Sequence, residues 1–119
     1  MIELCATDAL ADGEARLFER NDGKERIGIV LVRDGDAFAA YVNVCPHFGI
    51  PLDVGRGIKT FRKHVMCVNH YAVFRFTDGA CIEGPCLGAS LAAVAIVVRE
   101  GRVLLDDPAF AGVEHRPPV

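Results

Sequence analysis

With 119 residues and a formal net charge of -3, the chain has the size of one domain and lacks the Lys/Arg excess that a polynucleotide partner calls for. Hydrophobic residues make up 51% of it, yet no apolar run reaches the length of a membrane span, and no charged start followed by an apolar stretch marks export. A cytoplasmic protein with no membrane and no nucleic-acid partner is expected, too short for a separate catalytic domain, so that any substrate chemistry takes place on another protein.

In chain order, Ile2 to Thr7 reads as a first strand and Asp8 to Gly13 as a polar turn. Glu14 to Glu19 alternates weakly, and Asn21-Asp22-Gly23-Lys24 is turn chemistry, because Asn, Asp and Gly tolerate positive φ. Arg26 to Arg33 is too apolar for a strand with one wet face and is expected to be central and buried. After the turn Asp34-Gly35-Asp36, Ala37 to Val44 alternates, with Phe38, Ala40 and Val42 on one face and Ala39, Tyr41 and Asn43 on the other. Phe48 to Met66 has no room for a useful helix, and Gly57 to His64 fits an extended hairpin arm. Tyr71 to Phe76 and Ala80 to Glu83 read as strands around Thr77-Asp78-Gly79, followed by a loop at Gly84-Pro85-Cys86-Leu87-Gly88. Ala92 to Val98 and Val103 to Leu105 form a last hairpin, and the tail from Asp106 is expected to be irregular. Short strands joined by Gly-containing turns indicate an all-β sandwich or barrel.

Five cysteines without an export signal favour metal binding over a disulfide framework. Two stretches carry the chemistry: Cys45-Pro46-His47 and Cys67-Val68-Asn69-His70. Thiolate with imidazole suits zinc or an iron-sulfur centre and not a hard cation. A zinc finger commonly pairs Cys with Cys and His with His, whereas here each loop supplies one of each. With Phe48-Gly49-Ile50-Pro51-Leu52, Phe74 and Gly84-Pro85 as further landmarks, the chain from about Ile27 to Leu105 resembles the Rieske 2Fe-2S ferredoxin family.

That resemblance implies an antiparallel base, about residues 1–44 and 87–105, a cluster-binding subdomain inserted at about 45–86, and an irregular tail at 106–119. It also implies one 2Fe-2S cluster, with Cys45 and Cys67 on the buried iron and His47 and His70 on the outer one. With neutral imidazoles in place of two thiolates, reduction takes the core from neutral to -1 instead of from -2 to -3, placing the potential at roughly -150 to +300 mV. High-potential Rieske proteins donate hydroxyls from two and four residues after the second His. Ala72 and Phe74 stand there, so the low end of that range is expected. Their inter-loop disulfide is excluded too, since Ile50 and Val68-Asn69 occupy its positions.

A low-potential member resembles the ferredoxin components of aromatic-ring-hydroxylating dioxygenase systems, which implies a one-electron carrier with a ferredoxin reductase and a terminal oxygenase as transient partners. Phe48, Ile50, Pro51, Tyr71 and Pro85 would surround its docking tip. Arg56, Lys59, Arg62 and Lys63 either steer an acidic partner or form a solvated hairpin. Two other readings stay open, the small subunit of an assimilatory nitrite reductase and a structural zinc module. His64 and His115 are read as non-ligands, Cys5 as a small buried residue, and Cys81 and Cys86 as spaced for a disulfide that a reducing cytosol disfavours.

Overall fold

The central strand decides the layering. The computed structural model describes residues 2–21, 26–46, 49–53, 57–67, 71–106 and 114–116, which contain twelve strands in three antiparallel sheets. Strand β3 (Arg26–Asp34) lies mid-sheet between β2 (Ala15–Asn21) and β4 (Ala37–Val42), with β12 (Glu114–Arg116) beyond β2 and β9 (Ala93–Val94) beyond β4. Its residues Ile29, Val30, Leu31 and Val32 are all essentially inaccessible to solvent. Because strand side chains alternate between faces, the continuous apolar run feeds two cores at once.

Ile29 and Leu31 pack with Leu4, Val103 and Leu105, from a three-stranded sheet of β1 (Ile2–Ala6), β11 (Arg102–Leu105) and β10 (Ile96–Arg99). Val30 and Val32 face Val65, Phe74 and Cys81, from a four-stranded sheet of β5 (Lys59–Phe61), β6 (His64–Met66), β7 (Val73–Arg75) and β8 (Cys81–Glu83). Burying one such aliphatic side chain contributes about 1.5–3 kcal/mol, so β3 alone anchors both layers. The expected split of β4 holds in the same way: Phe38, Ala40 and Val42 belong to the first core, Ala39 and Tyr41 to the second.

The fold departs from the sequence expectations at three places. Thr7–Ala9 is a short 3-10 turn, pinned by Arg33, whose guanidinium donates to the carbonyls of Thr7 at 3.1 Å and Leu10 at 2.7 Å. The single strand expected over Ala92 to Val98 is two. Its first part, β9, pairs with β4, and after Ala95 the chain crosses to the other sheet, where β10 pairs with β11. The two parts still share one core, since Val94 is buried in it and the half-buried Ile96 packs against it. The tail is not irregular throughout: Glu114–Arg116 pairs with Glu19–Asn21 of β2. Backbone groups on a sheet edge accept a partner strand whatever its side chains, and for that reason hydrophobic pattern gave no sign of it.

The predicted hairpin arm is present as β5 and β6, with Arg62 and Lys63 at its tip in the left-handed region, φ 48 and 62. Lys63 reaches back to the central sheet, 2.6 Å from Asp34 and 3.2 Å from Asp12. Arg62 lies over the ring of Phe61. Among the described residues no helix is long and apolar enough to cross a membrane.

Candidate metal centre

Two hairpin ends deliver the cysteines. Cys45 follows β4 and Cys67 follows β6, and both are fully buried in the core shared with Phe74, Leu52 and Cys86. The loops that start at them are closed by the same two backbone hydrogen bonds. The Cys45 N–H donates to the carbonyl of Ile50 at 2.7 Å, and the Gly49 N–H donates to the Cys45 carbonyl at 2.8 Å. In the second loop the Cys67 N–H donates to Ala72 at 2.9 Å, and the Tyr71 N–H donates to Cys67 at 2.8 Å.

Both closures need a positive φ four residues after the cysteine, and these positions have φ 70 at Gly49 and φ 60 at Tyr71. The first is a glycine, for which this conformation is free of steric cost. The second is a bulky residue, for which it is a genuine outlier. In each loop the chain runs from a fully buried sulfur to an exposed position four residues on, and Tyr71 is 72% exposed.

Each loop has its own brace. Asn43 is buried, its side-chain oxygen accepts the Leu52 N–H at 3.0 Å, and its amide donates to the buried carboxylate of Asp53 at 3.1 Å. That arrangement ties the entry of the first loop to its exit. The second loop rests on Gly84, whose φ is +96. A Cβ built there would lie 2.8 Å from the Cα of Ala72, so no side chain fits between the third loop and the second. Cys86, in that third loop, is also buried, and its sulfur lies 3.3 Å from that of Cys45.

Of the sequence-predicted ligands, Cys45 and Cys67 are thus placed in equivalent loops of one core, while His47 and His70 lie outside the described residues. Phe48, Arg56, Val68 and Asn69 lie outside them as well. Ala72 and Phe74 are fully buried in the same core as the cysteines. No disulfide joins any of the five cysteines. The pairing weighed for Cys81 and Cys86 is not made: the Cys81 thiol donates to the Glu83 carbonyl at 3.1 Å while Cys86 turns to Cys45. Cys5 is half-buried, and burial pushes its thiol pKa up. His64 Nδ1 sits 2.8 Å from the Arg62 carbonyl, within its own hairpin.

Lys63 is neutralised by Asp34 and Asp12, which hold its pKa above the usual lysine value, and so offers little field to a partner. Leu87, 69% exposed beside Cys86, was missed as a surface residue of the tip; its place directly after Gly-Pro-Cys in a loop was the available signal. Asn43 and Asp53 were missed because no local pattern marks a polar pair buried across ten residues. Soft thiols at the buried base of closed loops, each followed in the sequence by a histidine, fit an iron-sulfur or zinc centre and no hard cation.

The fold and these loops define a small all-β protein built to hold one metal centre. The chain matches the Rieske [2Fe-2S] domain over residues 1–101 and belongs to that family, whose domain carries a single 2Fe-2S cluster for electron transfer. A search of curated proteins finds no match. Among solved structures, the ferredoxin of carbazole 1,9a-dioxygenase from Nocardioides aromaticivorans IC177 is 27% identical, with a TM-score of 0.69 over 89% of this chain and 96% of that one. A chain in the complex of reduced oxygenase and oxidized ferredoxin in carbazole 1,9a-dioxygenase is 24% identical, with a TM-score of 0.71 over 88% of this chain and 100% of the other. The terminal oxygenase of carbazole 1,9a-dioxygenase from Novosphingobium sp. KA1 shares the fold at 15% identity and a TM-score of 0.69, this chain spanning 29% of its length.

Proposed function

We propose that this chain is a one-electron carrier in the cytoplasm, a Rieske ferredoxin passing electrons from a reductase to a terminal oxygenase, and that Cys45, His47, Cys67 and His70 hold its cluster. Cys45 and Cys67 take the inner iron and His47 and His70 the outer. The observation that carries this assignment is the pair of identically closed loops, each beginning at a fully buried cysteine and ending at an exposed residue. When bound, the cluster supplies reversible one-electron transfer at a potential set by its mixed ligands.

The chain's own residues do the rest. The apolar core around Cys45 and Cys67 excludes water from the inner sulfurs, while Asn43 ties the first loop's entry to its exit and Gly84 packs the third loop against the second. The cluster-binding part is about residues 45–86, carried on a base of about 1–44 and 87–105. Around its tip, Pro51, Tyr71, Pro85 and Leu87 are exposed and suit the small, transient contact of an electron-transfer encounter. Lys59, Arg62 and Lys63 are exposed on the neighbouring hairpin, Lys63 being paired with Asp34 and Asp12.

Single replacements test the ligand set. Cys45→Ser, His47→Ala, Cys67→Ser and His70→Ala are each expected to abolish the Rieske EPR signal of the reduced protein, whereas Cys81→Ser retains it. A variant of the first four that kept the wild-type spectrum would remove that residue from the set.

A further inference from the structure

We propose that Cys86 donates an S–H hydrogen bond to the sulfur of Cys45 and thereby raises the reduction potential of the site. This rests on the assignment of Cys45 as a ligand. The two sulfurs are 3.3 Å apart, both are buried, and both lie in the core that surrounds the loop bases. Between two thiols either sulfur can be the donor. A cysteine that ligates iron has lost its proton, so in the loaded protein only Cys86 has a hydrogen to give.

The placement of Cys86 is not incidental to a loose loop. Its carbonyl accepts the Ala89 N–H at 2.9 Å, the Leu87 N–H donates to Gly84 at 3.2 Å, and Gly84 itself rests on the backbone of Ala72. The third loop is therefore locked to the second loop while its thiol reaches the first. The nearby Cys81 cannot substitute, since its own thiol is directed to Glu83.

The consequence follows from charge. Reduction adds negative charge that the ligand sulfurs share, which makes each a better acceptor, so a donor stabilises the reduced state more than the oxidised one. Ala72 and Phe74 have no hydroxyl for this purpose. Cys86 supplies from the third loop a donor that the second loop lacks.

Voltammetry on the cluster-loaded protein decides the matter, with Cys86→Ala and Cys86→Ser compared to wild type. Loss of the donor in Cys86→Ala is expected to lower the equilibrium constant for reduction by roughly tenfold, which for one electron is about 59 mV. Cys86→Ser keeps an O–H and is expected to return the potential to at least the wild-type value. In pulsed EPR after exchange into deuterated water, a deuteron coupling beyond those of the histidine ring N–D groups is expected in wild type and is lost in Cys86→Ala. Packing alone would not make serine restore what alanine removes.

An unchanged potential in Cys86→Ala, or a serine variant that behaves as alanine does, would overturn the proposal. Should the alanine variant lose its cluster, Cys86→Ser alone decides, a potential below wild type being the contrary result. Failure of the underlying assignment looks different: Cys45→Ser would then keep the wild-type Rieske spectrum.

Discussion

Tyr71 sits at φ 60, where an L residue costs about 1–2 kcal/mol relative to ordinary backbone. Glycine would remove that cost but adds roughly 0.5–1 kcal/mol of entropy to the unfolded chain. The first term is larger, and Tyr71 is mostly exposed, so little packing is lost. Tyr71→Gly is therefore expected to stabilise the protein by about 0.5–1 kcal/mol in urea unfolding. A destabilised variant would mean that the ring makes contacts worth more than the backbone strain. Ala72→Ser and Phe74→Tyr address the sulfurs instead, and each is expected to raise the reduction potential. A buried hydroxyl without a partner costs about 1–3 kcal/mol. If either variant loses stability of that size with no change in potential, its side chain does not face a ligand sulfur.

At the scale of elements, the two loops depend on braces that hydrophobic pattern does not reveal, a buried polar pair for the first and the close approach of Gly84 for the second. Replacing Asn43 with Leu keeps the volume but strands the Leu52 N–H and takes the amide donor from the buried Asp53 carboxylate. Leaving buried partners unsatisfied costs roughly 2–4 kcal/mol in total, and first-loop closure suffers with it. Asn43→Leu is expected to lower the urea midpoint accordingly and to speed cluster loss, followed by the decay of visible absorbance. Unchanged retention would show that the first loop holds itself by its backbone bonds alone.

The same braces mark the limit of what the sequence conveyed. Strand β3 was legible because a short apolar run rich in Ile and Val between two turn signals fits a strand buried on both faces. The family was legible because the spacing of Cys45-Pro46-His47 and Cys67-Val68-Asn69-His70 is restrictive. The equivalence of Tyr71 with Gly49 was not, since a tyrosine carries no local sign of positive φ. Nor was the Cys86 to Cys45 approach, which joins residues 41 apart through the packing of a third loop. The crossing of the chain at Ala95 was hidden in an unbroken apolar run, because one residue of each half, Val94 and Ile96, packs into the same core.

For the whole molecule, titration defines a window of full stability. Asp12 is held below the usual carboxylate range by the Gly35 N–H and by Lys63, and Asp78 is held low by Arg75 and the Ala80 N–H. Their contributions are present above 3.8 and fade as the pH falls toward the lower folded-state values. On the alkaline side the sign reverses. Burial, assisted by Asp78, pushes the Tyr41 phenol from 10.0 to about 12, and its hydroxyl donates to the Phe76 carbonyl at 2.6 Å. The neutral phenol is the form the fold prefers, so the Tyr41 contribution is complete below pH 10 and falls as the pH rises toward 12. The size is on the order of 2 kcal/mol. Tyr41→Phe is expected to lose the hydrogen bond at neutral pH but to flatten the alkaline decline in urea midpoint. An equally steep decline would assign it to other groups, Lys63 and Cys5 among them, whose raised pKa values act in the same direction.

The most direct test of the central claim, an electron carrier with one mixed-ligand cluster, is analysis of anaerobically purified protein for iron, acid-labile sulfide and zinc, with EPR after dithionite reduction. Two irons and two sulfides per chain with a Rieske-type signal are expected. Stoichiometric zinc, or an intact fold that binds no metal, would contradict the account and leave a structural module in place of an electron carrier.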